Sequence, residues 1–361
     1  MAYGGSVQMG ASVIGTFQAL DEDQNDHLSE AEIQDWLAAL DINYASLDAD
    51  GSGGISADEF SSSVFPITED ANANVTLEGN RALGVLDSAQ WHFDILGERR
   101  VNMSGHGGGI LLLSILTYKR KASLVMLSGT HIVNNAAGVG GGIAHACAQD
   151  PGQSTQQDPI IGRMVAAGDV VVAENTAVMN DGAYNMKSLI QDFKIEGGDS
   201  RVPWGDGGGL WSLDFKAWLL SGVSFRDNHA NFGGAVCLRR NSALLLSRAT
   251  FSGNSAESNG GALSAFQGSV ITAEGARFAG NSAGVYGGAI ATEVDSNAIL
   301  RICILHSNSA HDGGGLVGLE ESQVSIERCR AVGNIAKVEG GGKHICKAPD
   351  ILSQMNDERD E

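Results

Sequence analysis

Apolar and polar residues alternate in short runs along most of the chain, and glycine pairs interrupt the runs. From Phe225 the alternation becomes periodic. FRDNHANFGGAV, FSGNSAESNGGAL and FAGNSAGVYGGAI are followed by the weaker LHSNSAHDGGGL and AVGNIAKVEGGG. Asparagines fall at 228, 254, 281, 308 and 334, and glycine pairs begin at 233, 260, 287, 313 and 340, so the step is 26 or 27 residues. Two-residue alternation broken by glycine predicts strands and turns. A unit of this length exceeds a hairpin. It suits one coil of a parallel solenoid with about three short strands, whose stacking places equivalent residues in columns.

Those columns make physical sense. Phe225, Phe251 and Phe278, joined by Leu305, are expected to stack inside. Val223, Ala249, Ala276, Cys303 and Cys329 lie two residues earlier and share that face by the strand period. Asparagine at the turn can bond the backbone or the asparagine of the next coil, and it tolerates left-handed dihedrals. The glycine pair supplies positive φ at the following corner. Weaker copies extend upstream through GDGGGL, ENTAVMNDGA, NNAAGVGGGI and GHGGGI, with lengthened connections at 148–160 and 196–206.

The pairing of FxxN with GGAI in these copies resembles the polymorphic outer-membrane-protein repeat over about residues 100–345. That resemblance implies a right-handed parallel β-helix, displayed at a cell surface and linked to adhesion.

A different pattern occupies the first part of the chain, where Ile33, Trp36, Leu37 and Leu40 recur at helical spacing. The stretch DADGSGGISADEF, Asp48 to Phe60, sets oxygen-bearing residues at alternate positions around a sharp glycine turn at Gly53. It resembles an EF-hand calcium loop. The resemblance implies that Asp48 and Asp50 give carboxylate oxygens, Ser52 its hydroxyl and Gly54 its backbone carbonyl. Ser56 would act directly or through water, and Glu59 with both oxygens. Ile55 would pair with a sister loop. That sister is DEDQNDHLSEAE, with Asp21, Asp23, Asn25, His27 through its carbonyl, Ser29 and Glu32 as donors and Leu28 at the apolar position. It departs from the pattern at Asp26, which stands where glycine is expected, and is therefore expected to be the weaker Ca²⁺ site.

The fold class expected is thus mainly β. A right-handed parallel β-helix of about nine coils over 76–347 is preceded by a small α-helical EF-hand pair over 12–66 and a linker over 67–75. The charged tail, 348–361, is read as disordered.

Charge sharpens the reading. The 361 residues carry a net charge of -20, and no Lys or Arg precedes Arg81. Such a field attracts cations and disfavours nucleic acid and anionic membranes. No apolar run approaches the length of a membrane span. The amino-terminal residues show no ordinary signal peptide, so the expectation is a soluble protein, or a surface or secreted one whose true start lies upstream. The five cysteines lack metal-site spacing. Cys303 and Cys329, one coil apart, are read as reduced thiols in preference to a disulfide. Trp204, Trp211 and Trp218 are read as covering the side of the coil in preference to binding sugar rings.

No catalytic residues are assigned, because acids and bases do not persist in any column after the glycine pairs. The function expected is calcium binding joined to an interaction scaffold, with a protein or glycan partner on the side faces. The alternative is a carbohydrate-active, pectate-lyase-like enzyme regulated by calcium, which a carboxylate cluster near 150–206 would support.

Overall fold

Each repeat forms one turn of a parallel β-helix, because its runs are too short to fold back on themselves and pair only with the neighbouring copy. The computed structural model describes residues 2–3, 6–9, 13–34, 43–64, 75–82, 93–94, 100–101, 107–115, 123–148, 164–177, 205–213, 218–340, 343–345 and 353–355. A representative turn contains Val236–Arg239, Ala243–Ser247, Thr250–Ser252 and Ser255–Ala256. The next repeats it with Leu263–Phe266, Val270–Glu274, Arg277–Ala279 and Ser282–Ala283. A turn therefore has four strand segments where about three were expected, because the asparagine corner splits the last run in two.

The first segments build a 9-stranded sheet. The second and third stacks join through the long strand Gln323–Val332 into a 16-stranded sheet, and the fourth forms an 8-stranded one. About five successive turns, Leu210 to Glu339, are described almost throughout. Of the nine coils expected, about five are thus shown, and the weaker copies include residues outside the described set. Among the described residues, no helix is long and apolar enough to cross a membrane.

The interior follows the predicted columns. Phe225 stacks on Phe251 with ring centroids 5.0 Å apart, and Phe251 on Phe278 at 4.9 Å, with Leu305 next in register. Val223, Ala249, Ala276, Cys303 and Cys329 are buried beside them. Cys303 and Cys329 are free thiols, and the Cys303 N–H points at the Cys329 sulfur from 3.2 Å. Trp218 corrects an expectation. It lies inside the core, with its Nε1 donating to Ser212 Oγ at 3.0 Å, and does not cover the side. Trp211 does pack outside that core, with Val139, Ala144, Cys237 and Phe266. Trp204 and Cys346 lie outside the described residues.

Buried asparagines form a continuous ladder. Asn254 donates its backbone N–H and its Nδ2 to Asn281 Oδ1 at 3.0 and 2.9 Å, and Asn281 does the same to Asn308 at 3.0 and 2.9 Å. The second Nδ2 proton reaches back a coil, from Asn281 to the Phe251 carbonyl at 3.1 Å. Every polar atom of the side chain is thus satisfied away from water. Positive φ falls on the residue before each asparagine, such as Asp227, Gly253 and Gly280, and not on the asparagine itself. In the glycine pairs the second member is required for space. A Cβ at Gly261 would stand 2.1 Å from the Gly288 carbonyl oxygen.

The order of the parts also departs from expectation. Ala2–Tyr3 pairs in parallel with Leu112 and Leu113, and Ser6–Met9 with Ser123 to Met126. Val75–Glu78 then pairs with Thr130 to Val133 in the third stack. Strands of the solenoid therefore flank the helical segment on both sides in sequence, and it does not simply precede the β-helix. The helical segment comprises Val13–Leu20, a helical stretch at 30–34, a short turn at Tyr44–Ser46 and Ala57–Val64. Trp36, Leu37 and Leu40, and nearly all of the expected linker and tail, lie outside the described residues.

Candidate metal centre

The two acidic loops are held back to back by a two-residue antiparallel bridge, His27 opposite Ser56 and Leu28 opposite Ile55. Leu28 and Ile55 are fully buried, so the predicted apolar pairing is present. Tyr44, on the entering side of the second loop, ties the loops together. Its hydroxyl lies 3.1 Å from the Leu28 carbonyl and 3.2 Å from that of Gly53.

Within each loop the backbone bends the chain around the carboxylates. Gly51 and Gly53 have φ of 68° and 87°, and their counterparts Gln24 and Asp26 have 57° and 62°. Asp26 thus adopts the left-handed conformation that glycine provides in the second loop, at a steric cost. Asp48 receives the Ser52 N–H at 2.9 Å and the Gly53 N–H at 3.0 Å. Asp21 receives the Asn25 and Asp26 N–H groups at 3.1 and 3.0 Å.

The glutamates close the loops in the same way. Glu59 accepts from the Ala49 N–H at 2.9 Å with one oxygen, and from the Ser56 N–H and hydroxyl at 2.9 and 2.8 Å with the other. Glu32 accepts from the Glu22 N–H at 2.9 Å and from the Ser29 N–H and hydroxyl, both at 2.7 Å. This is also the geometry of a helix-start capping box, which anchors each carboxylate at the first turn of its helix.

The result is two groups of three acids, Asp21 with Asp23 and Glu32, and Asp48 with Asp50 and Glu59. In each group one ligand atom per residue lies within 4.8 Å of the others. Ser52 Oγ sits 3.0 Å from the Gly54 carbonyl oxygen and 3.5 Å from Asp48 Oδ1, so these predicted donors converge. Ser56 stands against Glu59. In the first loop Asn25 Nδ2 contacts Asp23 at 2.8 Å, and His27 enters through the bridge, its exposed ring turned back to the Asn25 carbonyl at 3.2 Å.

Hydrogen bonding favours the ionised form of three of these acids. The Ser56 N–H and hydroxyl hold Glu59 below the ordinary carboxylate value, and the Ser52 hydroxyl and N–H do so for Asp50. Burial pulls Glu32 upward, but the bonds from Ser29, Glu22 and Asp23 outweigh it and leave it lowered. Carboxylates with serine and carbonyl oxygens beside them are hard oxygen ligands of the kind that Ca²⁺ takes.

No comparable group of three acids, histidines or cysteines occurs elsewhere among the described residues. Near 150–206, most of the lengthened connections lie outside those residues. Asp206 is buried against Arg239, at 2.6 Å, and the guanidinium lies 4.3 Å from the Phe266 ring centre. Burial pushes the Asp206 carboxyl up, with Arg239 opposing. This pair knits neighbouring coils.

A family model described as the Chlamydia polymorphic membrane protein (Chlamydia_PMP) repeat matches residues 248–265. The matched stretch holds Phe251, Asn254 and the pair Gly260–Gly261, the three column-forming positions of one repeat. No curated protein and no solved structure matches the chain.

Proposed function

We propose that the protein is a calcium-binding solenoid scaffold of the adhesion type, wound right-handed as its repeats imply and as parallel crossovers favour. Its two acidic loops are EF-hands that take one Ca²⁺ each. The Asp48–Glu59 loop is the tighter site and the Asp21–Glu32 loop the weaker, because Asp26 must hold a left-handed conformation. The side faces of the β-helix meet a protein or glycan partner, and the rigid, regular coil supplies extent without chemistry of its own.

One observation carries the calcium reading. Two separate loops gather three carboxylates each within 4.8 Å, on equivalent positions, across the Leu28–Ile55 bridge. Like charges brought that close repel, and a divalent cation relieves the repulsion. Calcium titration of the full chain by isothermal calorimetry is expected to show two sites of unequal affinity. The double variant Asp48→Ala, Glu59→Gln should lose the tighter one. An absence of binding heat in the unmodified protein at millimolar calcium, with none gained on direct equilibrium dialysis, overturns the reading.

A further inference from the structure

The helical segment is fastened to the outer face of the solenoid. Its buried residues, among them Phe17, Leu20 and Phe60, form one apolar cluster with Val165 and Ala167 of the second stack and with Leu127, just after the strand Ser123–Met126, and Leu219 packs against it. Val165 and Ala167 point outward, since Ala166 between them belongs to the interior core. Polar contacts frame the cluster. The Arg248 guanidinium donates to the Ala19 carbonyl, which also accepts from Ser221 Oγ at 3.2 Å. Ser247 Oγ donates to the Glu22 carboxylate at 3.2 Å, and the Ser128 N–H donates to Thr16 Oγ1 at 3.1 Å.

The acidic loops and this interface share their backbone. Asp21 follows Leu20, Ile33 follows Glu32, Asp48 follows Leu47 and Phe60 follows Glu59, and all four apolar neighbours are buried in the cluster. Glu22 joins both sides directly, its N–H bound to Glu32 and its carboxylate to Ser247. Drawing each loop's carboxylates onto its own ion would therefore fix the positions of the side chains that pack on the solenoid.

Resting on the calcium reading above, we infer that calcium binding is coupled to docking of the helical segment on the solenoid's outer face. The chain's own second stack is then the partner of the calcium loops, occupying the apolar surface of the hand pair. Coupling of this kind is reciprocal: whatever calcium adds to docking, the solenoid surface adds to calcium affinity. Calcium removal loosens the clasp and uncovers the outward column Val165, Leu219 and Leu245, which are neighbours in register. Leu245 is already 37% exposed at its edge.

The test uses the full chain and residues remote from the loops. Val165→Asp places a charge in the interface without touching the interior core, and is expected to weaken calcium binding about tenfold. Arg248→Ala should weaken it by a smaller factor. In the unmodified protein, chelation should speed hydrogen exchange of the Ser128 amide while the interior strand amides of 250–306 keep their protection. Calcium binding that is equally tight in both variants, with Ser128 exchange indifferent to calcium, overturns the coupling and leaves the calcium reading standing. If the unmodified protein binds no calcium, both fall. Should Val165→Asp fail to fold, Arg248→Ala and the Ser128 amide decide the matter.

Discussion

Two regions of this molecule arrange polar side chains in opposite ways. In the repeats, Asn228, Asn254, Asn281 and Asn308 are fully buried, yet each finds its donors and acceptors in the copies above and below. An amide carries both kinds of group, so a column of identical residues satisfies itself. In the acidic loops the gathered groups are carboxylates, which only accept. Their own backbone N–H groups satisfy part of the demand, but three like charges remain together. Stacking identical residues closes the first arrangement, whereas the second leaves like charges that the proposed Ca²⁺ would offset. The residue chemistry thus separates a structural column from a candidate binding site, even though both are regular and rich in short polar side chains.

That contrast can be broken from either side. The largest effect is expected from Asn281→Ala, which leaves the Asn254 N–H and Nδ2 without their acceptor and the Phe251 carbonyl without its donor. Buried groups stranded in this way cost about 1–3 kcal/mol each, so a loss of about 4 kcal/mol in denaturant stability is expected. Calcium binding should survive it, because the hydrogen bonds that are lost join Asn281 to its neighbouring coils and not to the loops. A loss below about 1 kcal/mol would show that the ladder does not hold the core.

A smaller and opposite change is expected at Ile302. It sits at the corner between the second and third stacks with φ of 52°, where the coil before places Gly275 and the coil after Arg328, both also at positive φ. A β-branched residue is strained there. Ile302→Gly should raise the melting temperature, with a stabilisation of about 1 kcal/mol. A lowered melting temperature would instead mean that the half-exposed side chain contributes more than its backbone strain removes.

The smallest effect concerns the loops alone. Glu59, Asp50 and Glu32 are held below their ordinary values when folded, so their hydrogen bonds favour the folded loops at neutral pH. The sign is that of depressed carboxylates. The contribution is complete above the unfolded value and fades as pH falls through the lower folded one. Acidification from about pH 5 to about pH 3 should therefore release the loop amides in hydrogen exchange before the coil amides. Simultaneous release of both would remove the distinction.

Much of this was legible in advance. The phenylalanine and cysteine columns followed from a 26- or 27-residue step and a two-residue strand period. The positive φ of Gly53 and Asp26, and the pairing of Leu28 with Ile55, followed from the spacing of the loop donors. Trp218 was misread because a large aromatic beside a long connection looks like a cover, whereas its register with Met164 and Leu244 turns it inward. The bridging role of the Tyr44 hydroxyl gave no signal, since it acts only once two loops stand together.

The sequence by itself determined the repeat, the columns within it and the order of donors around each acidic loop, because these are set by spacing between near neighbours along one chain. Only the tertiary structure decided that solenoid strands lie on both sides of the helical segment, and that the segment packs on Leu127, Val165 and Ala167. Those contacts join residues far apart in the chain that share no period. Outward apolar positions on a strand do not announce what covers them, so the choice was made by the burial available once both parts had folded.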